Sequence, residues 1–345
     1  LEDPCFSNNC LIVLPAYPAT RNGVQDFAGL LASALSLQIG INFHFLPLFS
    51  VSEKIIFKRI APFSLIHLHY VGYGYSRNGI PRNLLVALEK WKLKEKNKLL
   101  ITFHELFAES HFPWKKSFYL QHYQKILFRR LSKIADFSVS SCQAFGLHFP
   151  GPVFILPVFS NIPVPENIFP FEMRSDDAVI WGNLEAKQSA YSHLHNYYPA
   201  ISKNWRWTKI IDIGIENANP RSLPIPVIHV GFLKAEEISC LLSSCKYAVF
   251  TAYSPDYFSK SGIFAAFASH GLAVLTAPIK DADKSPSDGL LESVHFQSMH
   301  QKYNQAPSIL AANLTNWYKE HRLENHVKKI YLPIIRNIVS NYFRH

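Results

Sequence analysis

From Tyr247 to Thr276 the chain spells one complete βαβ unit, and few folds accept such a unit. The apolar run Tyr247-Ala248-Val249-Phe250-Thr251-Ala252 reads as a strand. A turn at Ser259-Lys260-Ser261-Gly262 opens the small-residue helix from Ile263 to Ser269, Gly271 stops it, and Leu272–Thr276 reads as the next strand. Such a crossover is right-handed and belongs to a parallel sheet covered on both faces. A helix that opens on Lys260, Ser261, Gly262 and Ile263 presents unbonded amides, a hydroxyl and a positive dipole end. That setting suits an anionic, phosphate-bearing ligand.

The same alternation fills the rest of the chain. In the first half, strands are expected at Cys10–Tyr17, Ile41–Phe49, Ser64–Tyr70, Lys98–Phe103, Asp136–Ser140 and Val153–Leu156. Helices are expected at Val24–Leu37, Arg82–Leu93 and Trp114–Ala135. The stretch from Phe159 to Asp177 carries Pro163, Pro165 and Pro170 with weak periodicity and reads as a linker. Strands then resume at Ala178–Trp181, Lys209–Ile213 and Val227–Val230, with a helix at Ala235–Ser244. The end, from Ala306 to Phe343, reads as helical with a break at Pro333. The expected architecture is α/β, with two doubly wound Rossmann-like domains facing a cleft. Its parts are residues 1–160, a linker at 161–177, residues 178–320, and terminal helices at 321–345 whose last member returns to the first domain.

Length supports two cores, since 345 residues exceed one ordinary domain. No apolar run reaches the ~18 residues of a membrane span, and the first residues lack a basic-then-apolar leader pattern. A soluble, cytoplasmic protein is expected. The five cysteines are scattered, with no C-x-x-C pair, which argues against structural disulfides and zinc. His67-Leu68-His69 and His193-Leu194-His195 have no further ligand nearby in sequence, so no metal is expected. They read as ordinary imidazoles, one bonded to backbone. The formal charge of +10 calls for a polyanionic partner or surface. No nucleic-acid-binding motif accompanies it, and nucleic acid is not expected. Lys125, Arg129 and Lys133 make a basic helical stripe with Phe112, Trp114 and Phe118 nearby. This reads as a solvated face or as peripheral contact with an anionic membrane, at its inner face.

Candidate binding residues sit where strands end. Asn22 and Gly23 follow the first strand, at the start of a helix. His104 closes the strand Ile101–Phe103, with Glu105 beside it as an orienting group or a cap. Gly182 follows Ala178–Trp181, and Lys187 comes five residues later, a flexible ammonium able to reach a diphosphate.

In order and spacing these segments resemble retaining glycosyltransferases of the GT-B fold, nearest to glycosyltransferase family 4. Asn22-Gly23-Val24 is similar to the family's Gly-Gly-Val loop, and Thr102-Phe103-His104-Glu105 to its Thr-x-His segment. Val139-Ser140-Ser141 and Ile155–Pro163 are similar to the approach to its linker, and Gly182 with Lys187 to its Gly…Lys phosphate element. Val230-Gly231-Phe232-Leu233 with Glu236-Glu237-Ile238 resembles the strand and helix before its donor site. The family's paired glutamates fall here on Phe258 and Ala266, neither a carboxylate, with Asp256 two residues before the first.

The resemblance implies sugar transfer from a nucleoside diphosphate sugar to a glycan, lipid-linked or small-molecule acceptor. It implies retention and no metal or other cofactor. Ser261, Gly262, Ile263, Gly182 and Lys187 would hold the diphosphate, with Gly23, Asn22 and Lys260 nearby. His104 and Asp256 would act at the transferred sugar. The missing glutamates keep a rival open, a catalytically weakened subunit that binds a nucleotide sugar or glycan.

Overall fold

The computed structural model describes residues 9–16, 23–108, 112–215, 218, 223–251, 255–278, 294–302 and 305–342. The chain forms two compact units. The first comprises Leu1–Ser141, Phe145–Leu156 and Leu323–His345, the second Cys142–Ala144 and Pro157–Arg322.

In the first unit, β1 (Asn9–Pro15), β2 (Asn42–Leu48), β3 (Leu65–Tyr70), β4 (Lys98–Phe103), β5 (Phe137–Ser140) and β6 (Phe154–Ile155) form one sheet. Its order is β2-β1-β3-β4-β5-β6, and every pairing is parallel. The order reverses between β1 and β3, the switch point at which such sheets bind ligands. Strand β3 is buried along its whole length, His67 and His69 included, because it lies between β1 and β4 with both faces covered. The helix Gly23–Ile39 turns Phe27, Ala28, Leu31, Ala32 and Leu35 inward at helical spacing.

In the second unit, β7 (Ser175–Trp181), β8 (Lys209–Ile213), β9 (Val227–Gly231), β10 (Cys245–Phe250), β11 (Ala273–Thr276) and β12 (Gln297–Ser298) form another parallel sheet. Its order is β12-β11-β10-β7-β8-β9, so the switch point falls between β7 and β10. One face carries Phe250, Phe258, Phe264 and Phe267. The other carries Trp205, Trp207, Tyr191 and Tyr247.

Residues 161–177, read from the sequence as a linker, are bonded into this second unit. Ser160 N–H donates to Tyr318 Oη at 2.9 Å, and the Arg174 guanidinium donates to the carbonyls of His270 and Gly271. The helices Glu53–Ile60 and Leu184–Ile201 had no counterpart in the sequence reading. The second carries His193 and His195.

The terminal helices break elsewhere than at Pro333. Helix Pro307–Lys319 ends before helix Leu323–His326, and Val327–Tyr331 then winds as a π turn into helix Leu332–Tyr342. Leu332 N–H bonds Val327 O in that turn. Pro333 has no N–H and its ring crowds the preceding turn, so a locally wider helix keeps the chain helical.

Candidate functional site

At the second sheet's switch point two helices begin. After Trp181 the chain passes Gly182, and Asn183 caps the helix Leu184–Ile201 by accepting Ala186 N–H at 2.9 Å. After Phe250, Thr251 Oγ1 donates to Ala186 O at 2.7 Å, tying the end of β10 to the first turn of that helix. A 3-10 turn at Pro255–Lys260 leads to Ser261, which caps the helix Gly262–Ser269. Its Oγ accepts Phe264 N–H at 3.3 Å and the residue is buried, so the hydroxyl serves its own helix. Gly262 and Ile263 are half-buried, and their amides have no acceptor one turn back. Among the described residues a Cβ on Gly262 would meet only Asn161 Oδ1, at 3.7 Å. Lys260 lies over the Tyr257 ring, Nζ 5.4 Å from its centroid.

Lys187 differs from the expected flexible ammonium. It sits in the first turn of the helix Leu184–Ile201 and is wholly buried. Its Nζ is 2.5 Å from Asp212 Oδ1 and donates to Gly214 O at 3.3 Å. Tyr191 Oη donates to Asp212 Oδ2 at 2.7 Å, and His229 Nδ1 lies 3.1 Å from the same oxygen. Burial first, and the Asp212 carboxylate second, push the Tyr191 phenol up. The lysine is held inward because a buried carboxylate needs a countercharge more than the surface needs a cation. Asp212 itself was missed. Its signal was a single acid inside the apolar run Lys209–Ile213.

The two positions that the resemblance likens to paired glutamates are closed to solvent. Phe258 and Ala266 are both buried in the apolar cluster with Phe250 and Phe264. Asp256 lies on the 3-10 turn, its side chain outside the described residues.

In the first unit, Gly23 opens the helix after β1 and is exposed, with nothing within 4 Å of a would-be Cβ. Asn22 lies outside the described residues. His104 follows β4, half-buried, with its N–H on Tyr70 O at 3.0 Å, and Glu105 is exposed. The pair His67 and His69, read as ordinary imidazoles, extends this site inward. His69 Nδ1 is 3.0 Å from His104 Nε2, and His67 Nε2 is 2.8 Å from Thr102 Oγ1, which reaches Tyr331 Oη at 3.1 Å. Burial depresses all three imidazoles, His67 to about 3 and His104 to about 4. Among the described residues no group of three or more His, Cys, Asp or Glu is placed to hold a metal.

No helix among the described residues is long and apolar enough to cross a membrane. On the helix Lys116–Ile134 the outward side carries Tyr119, Tyr123 and Ile126, with Trp114 exposed just before it.

No family model matches the sequence, and no curated protein does either. Solved structures do match over nearly the whole chain. An alpha-glucosyltransferase (AGT) in complex with UDP superposes with a TM-score of 0.54 at 8% identity, covering 96% of this chain and 99% of its own. The same description with UDP-glucose and DNA containing an abasic site gives 0.52 at 8%, covering 96% and 98%. S. aureus MnaA with UDP gives 0.52 at 8%, covering 96% and 97%. At this identity the likeness establishes the fold, two parallel six-stranded α/β units of GT-B type.

Proposed function

We propose that this chain is a glycosyltransferase that moves a sugar from a nucleoside diphosphate sugar to a glycan, lipid-linked or small-molecule acceptor. The observation that carries the reading is the second sheet's switch point, where Gly182 and the unbonded amides of Gly262 and Ile263 stand at the starts of two helices. Those amides and the helix's positive end would hold the diphosphate and stabilise the charge that develops on it as the sugar leaves. Solved structures of this fold include complexes with UDP and UDP-glucose, which supports the donor class. Gly23 opens the matching helix at the first sheet's switch point. His104 is assigned to a hydroxyl of the transferred sugar, with Glu105 beside it, and Asp256 to further hydroxyls. Asn22 and Lys260 complete the donor-side set. Lys187 acts through Asp212, holding the β7 and β8 ends in place, rather than as a mobile phosphate ligand. Retention and independence of metal are part of the proposal, supported by the sequence resemblance to family 4.

The burial of Phe258 and Ala266 favours a second reading, a weakened relative that binds a nucleotide sugar or glycan within a glycosylation complex. The exposed Trp114, Tyr119 and Tyr123 beside Lys115, Lys116, Arg129 and Lys133 favour an anionic membrane surface as the place where the acceptor is met.

Release of nucleoside diphosphate from a panel of nucleotide sugars, with mixed acceptors, tests the first reading. Wild type should release diphosphate from one of them, and His104→Ala should lose turnover while keeping nucleotide affinity. Binding without release in wild type would favour the second reading. Neither binding nor release would refute both.

A further inference from the structure

His69 and His104 meet ring to ring, and that contact decides which atom His104 can offer. Their centroids are 5.3 Å apart with 20° between the planes, and the ring of Phe27 stands edge-on to both. The His67 ring lies 4.2 Å from His69 on the inner side. Burial holds both His69 and His104 neutral at pH 7, so each ring carries one N–H and one lone pair. In the bond between His69 Nδ1 and His104 Nε2, one ring donates and the other accepts.

The far atom of His69 separates the two arrangements. His69 Nε2 is buried with no hydrogen-bond partner. Were His104 the donor, the His69 proton would sit on Nε2, an N–H sealed away from any acceptor. With His69 as donor, Nε2 keeps only a lone pair. A buried orphan N–H is the rarer fault, and leaving a donor unmet forfeits the whole cost of drying it. Among the described residues His104 Nδ1 makes no hydrogen bond, and it is not one of the sealed polar atoms.

We infer that His69 is a positioning residue whose Nδ1–H donates to His104 Nε2 and so holds His104 in the tautomer that presents Nδ1–H outward. The inference rests on the reading that His104 meets the sugar substrate. It gives that contact a direction. His104 donates a hydrogen bond to a substrate oxygen, and its lone pair, already used by His69, takes no proton from an acceptor hydroxyl.

A long-range 1H–15N correlation spectrum of protein labelled with 15N-histidine, taken at neutral pH, reads each tautomer directly. His104 is assigned by the signal lost in His104→Gln, and it should be protonated on Nδ1, the minor form of free histidine. His69→Phe keeps a ring without an N–H, and there the proton should move to Nε2. His69→Asn, whose amide nitrogen lies where Nδ1 lay, should keep it on Nδ1. The kcat of His69→Phe should fall roughly tenfold to a hundredfold below that of His69→Asn, with nucleotide affinity unchanged in both, as misplacing a substrate-facing group predicts. A wild-type His104 protonated on Nε2 overturns the inference whatever the activity, and should His69→Phe not fold, that spectrum decides. Equal kcat in the two His69 variants overturns the positioning role. Full turnover in His104→Ala would instead defeat the functional reading while leaving the tautomer standing.

Discussion

Replacing Lys187 by methionine separates a structural lysine from a ligand-binding one. The substitution keeps most of the stem and removes the ammonium from a wholly buried site 2.5 Å from Asp212 Oδ1. Asp212, itself buried, loses its ammonium partner and keeps Tyr191 and His229. Removing one partner of a buried ion pair typically costs about 3–5 kcal/mol. With a urea slope of ~2–3 kcal/mol/M, the midpoint of the second unit should fall by about 1–2.5 M. Tryptophan fluorescence follows this, because Trp181, Trp205, Trp207 and Trp317 all belong to that unit. The double variant Lys187→Met/Asp212→Asn removes the orphaned charge and still offers Tyr191 an acceptor, so most of the loss should return. Recovery should exceed ~1 kcal/mol, as expected for residues in direct contact. A single variant that unfolds at the wild-type midpoint, yet loses nucleotide affinity, would refute the reasoning and restore Lys187 as a ligand cation.

Two further outcomes follow from the packing and the imidazoles. Placing a carboxylate at Phe258 by Phe258→Glu should unfold the second unit, since it forfeits ~3–5 kcal/mol of packing and buries an acid among Phe250, Phe264 and Phe296; a folded variant with higher turnover would contradict this. Because His67, His69 and His104 are depressed below 6.5 in the folded protein, the unfolded chain binds more protons than the folded one as pH falls from about 6.5 toward about 4. Stability of the first unit is then complete above about 6.5 and is lost through that window, by up to ~1.4 kcal/mol per pH unit for each buried imidazole. Urea midpoints measured at steps between pH 7 and pH 4 check this, and His67→Leu should flatten the slope.

The fold was legible because it is written in local, repeating signals. Runs such as Leu11–Leu14 and Leu99–Ile101 are short, apolar and buried on both faces, as strands inside a parallel sheet are. The helix Leu184–Ile201 was not legible, since Pro199 and its many His, Tyr and Asn residues blur the period. Residues at strand ends could be picked out as candidates one at a time, as Gly182 and His104 were. Their partners could not. Asp212 reaches Lys187 from the strand that follows its helix, His69 stands 35 positions from His104, and Tyr331 meets Thr102 across 229. Which way a polar side chain turns depends on which distant group needs it, and neither composition nor period records that.

The central claim is that a nucleoside diphosphate binds against the amides that open the helix Gly262–Ser269, and calorimetric titration of Gly262→Ala tests it most directly. Among the described residues the added methyl meets only Asn161 Oδ1 at 3.7 Å, and alanine favours a helix over glycine by roughly 0.5–1 kcal/mol, so the fold should be as stable as before or more so. The same methyl stands where a phosphate would approach the backbone. The account predicts that wild type binds at least one nucleoside diphosphate and that Gly262→Ala binds it at least tenfold more weakly, with an unfolding midpoint no lower than wild type. Equal affinity in the two proteins, or no nucleotide bound by wild type, would contradict it.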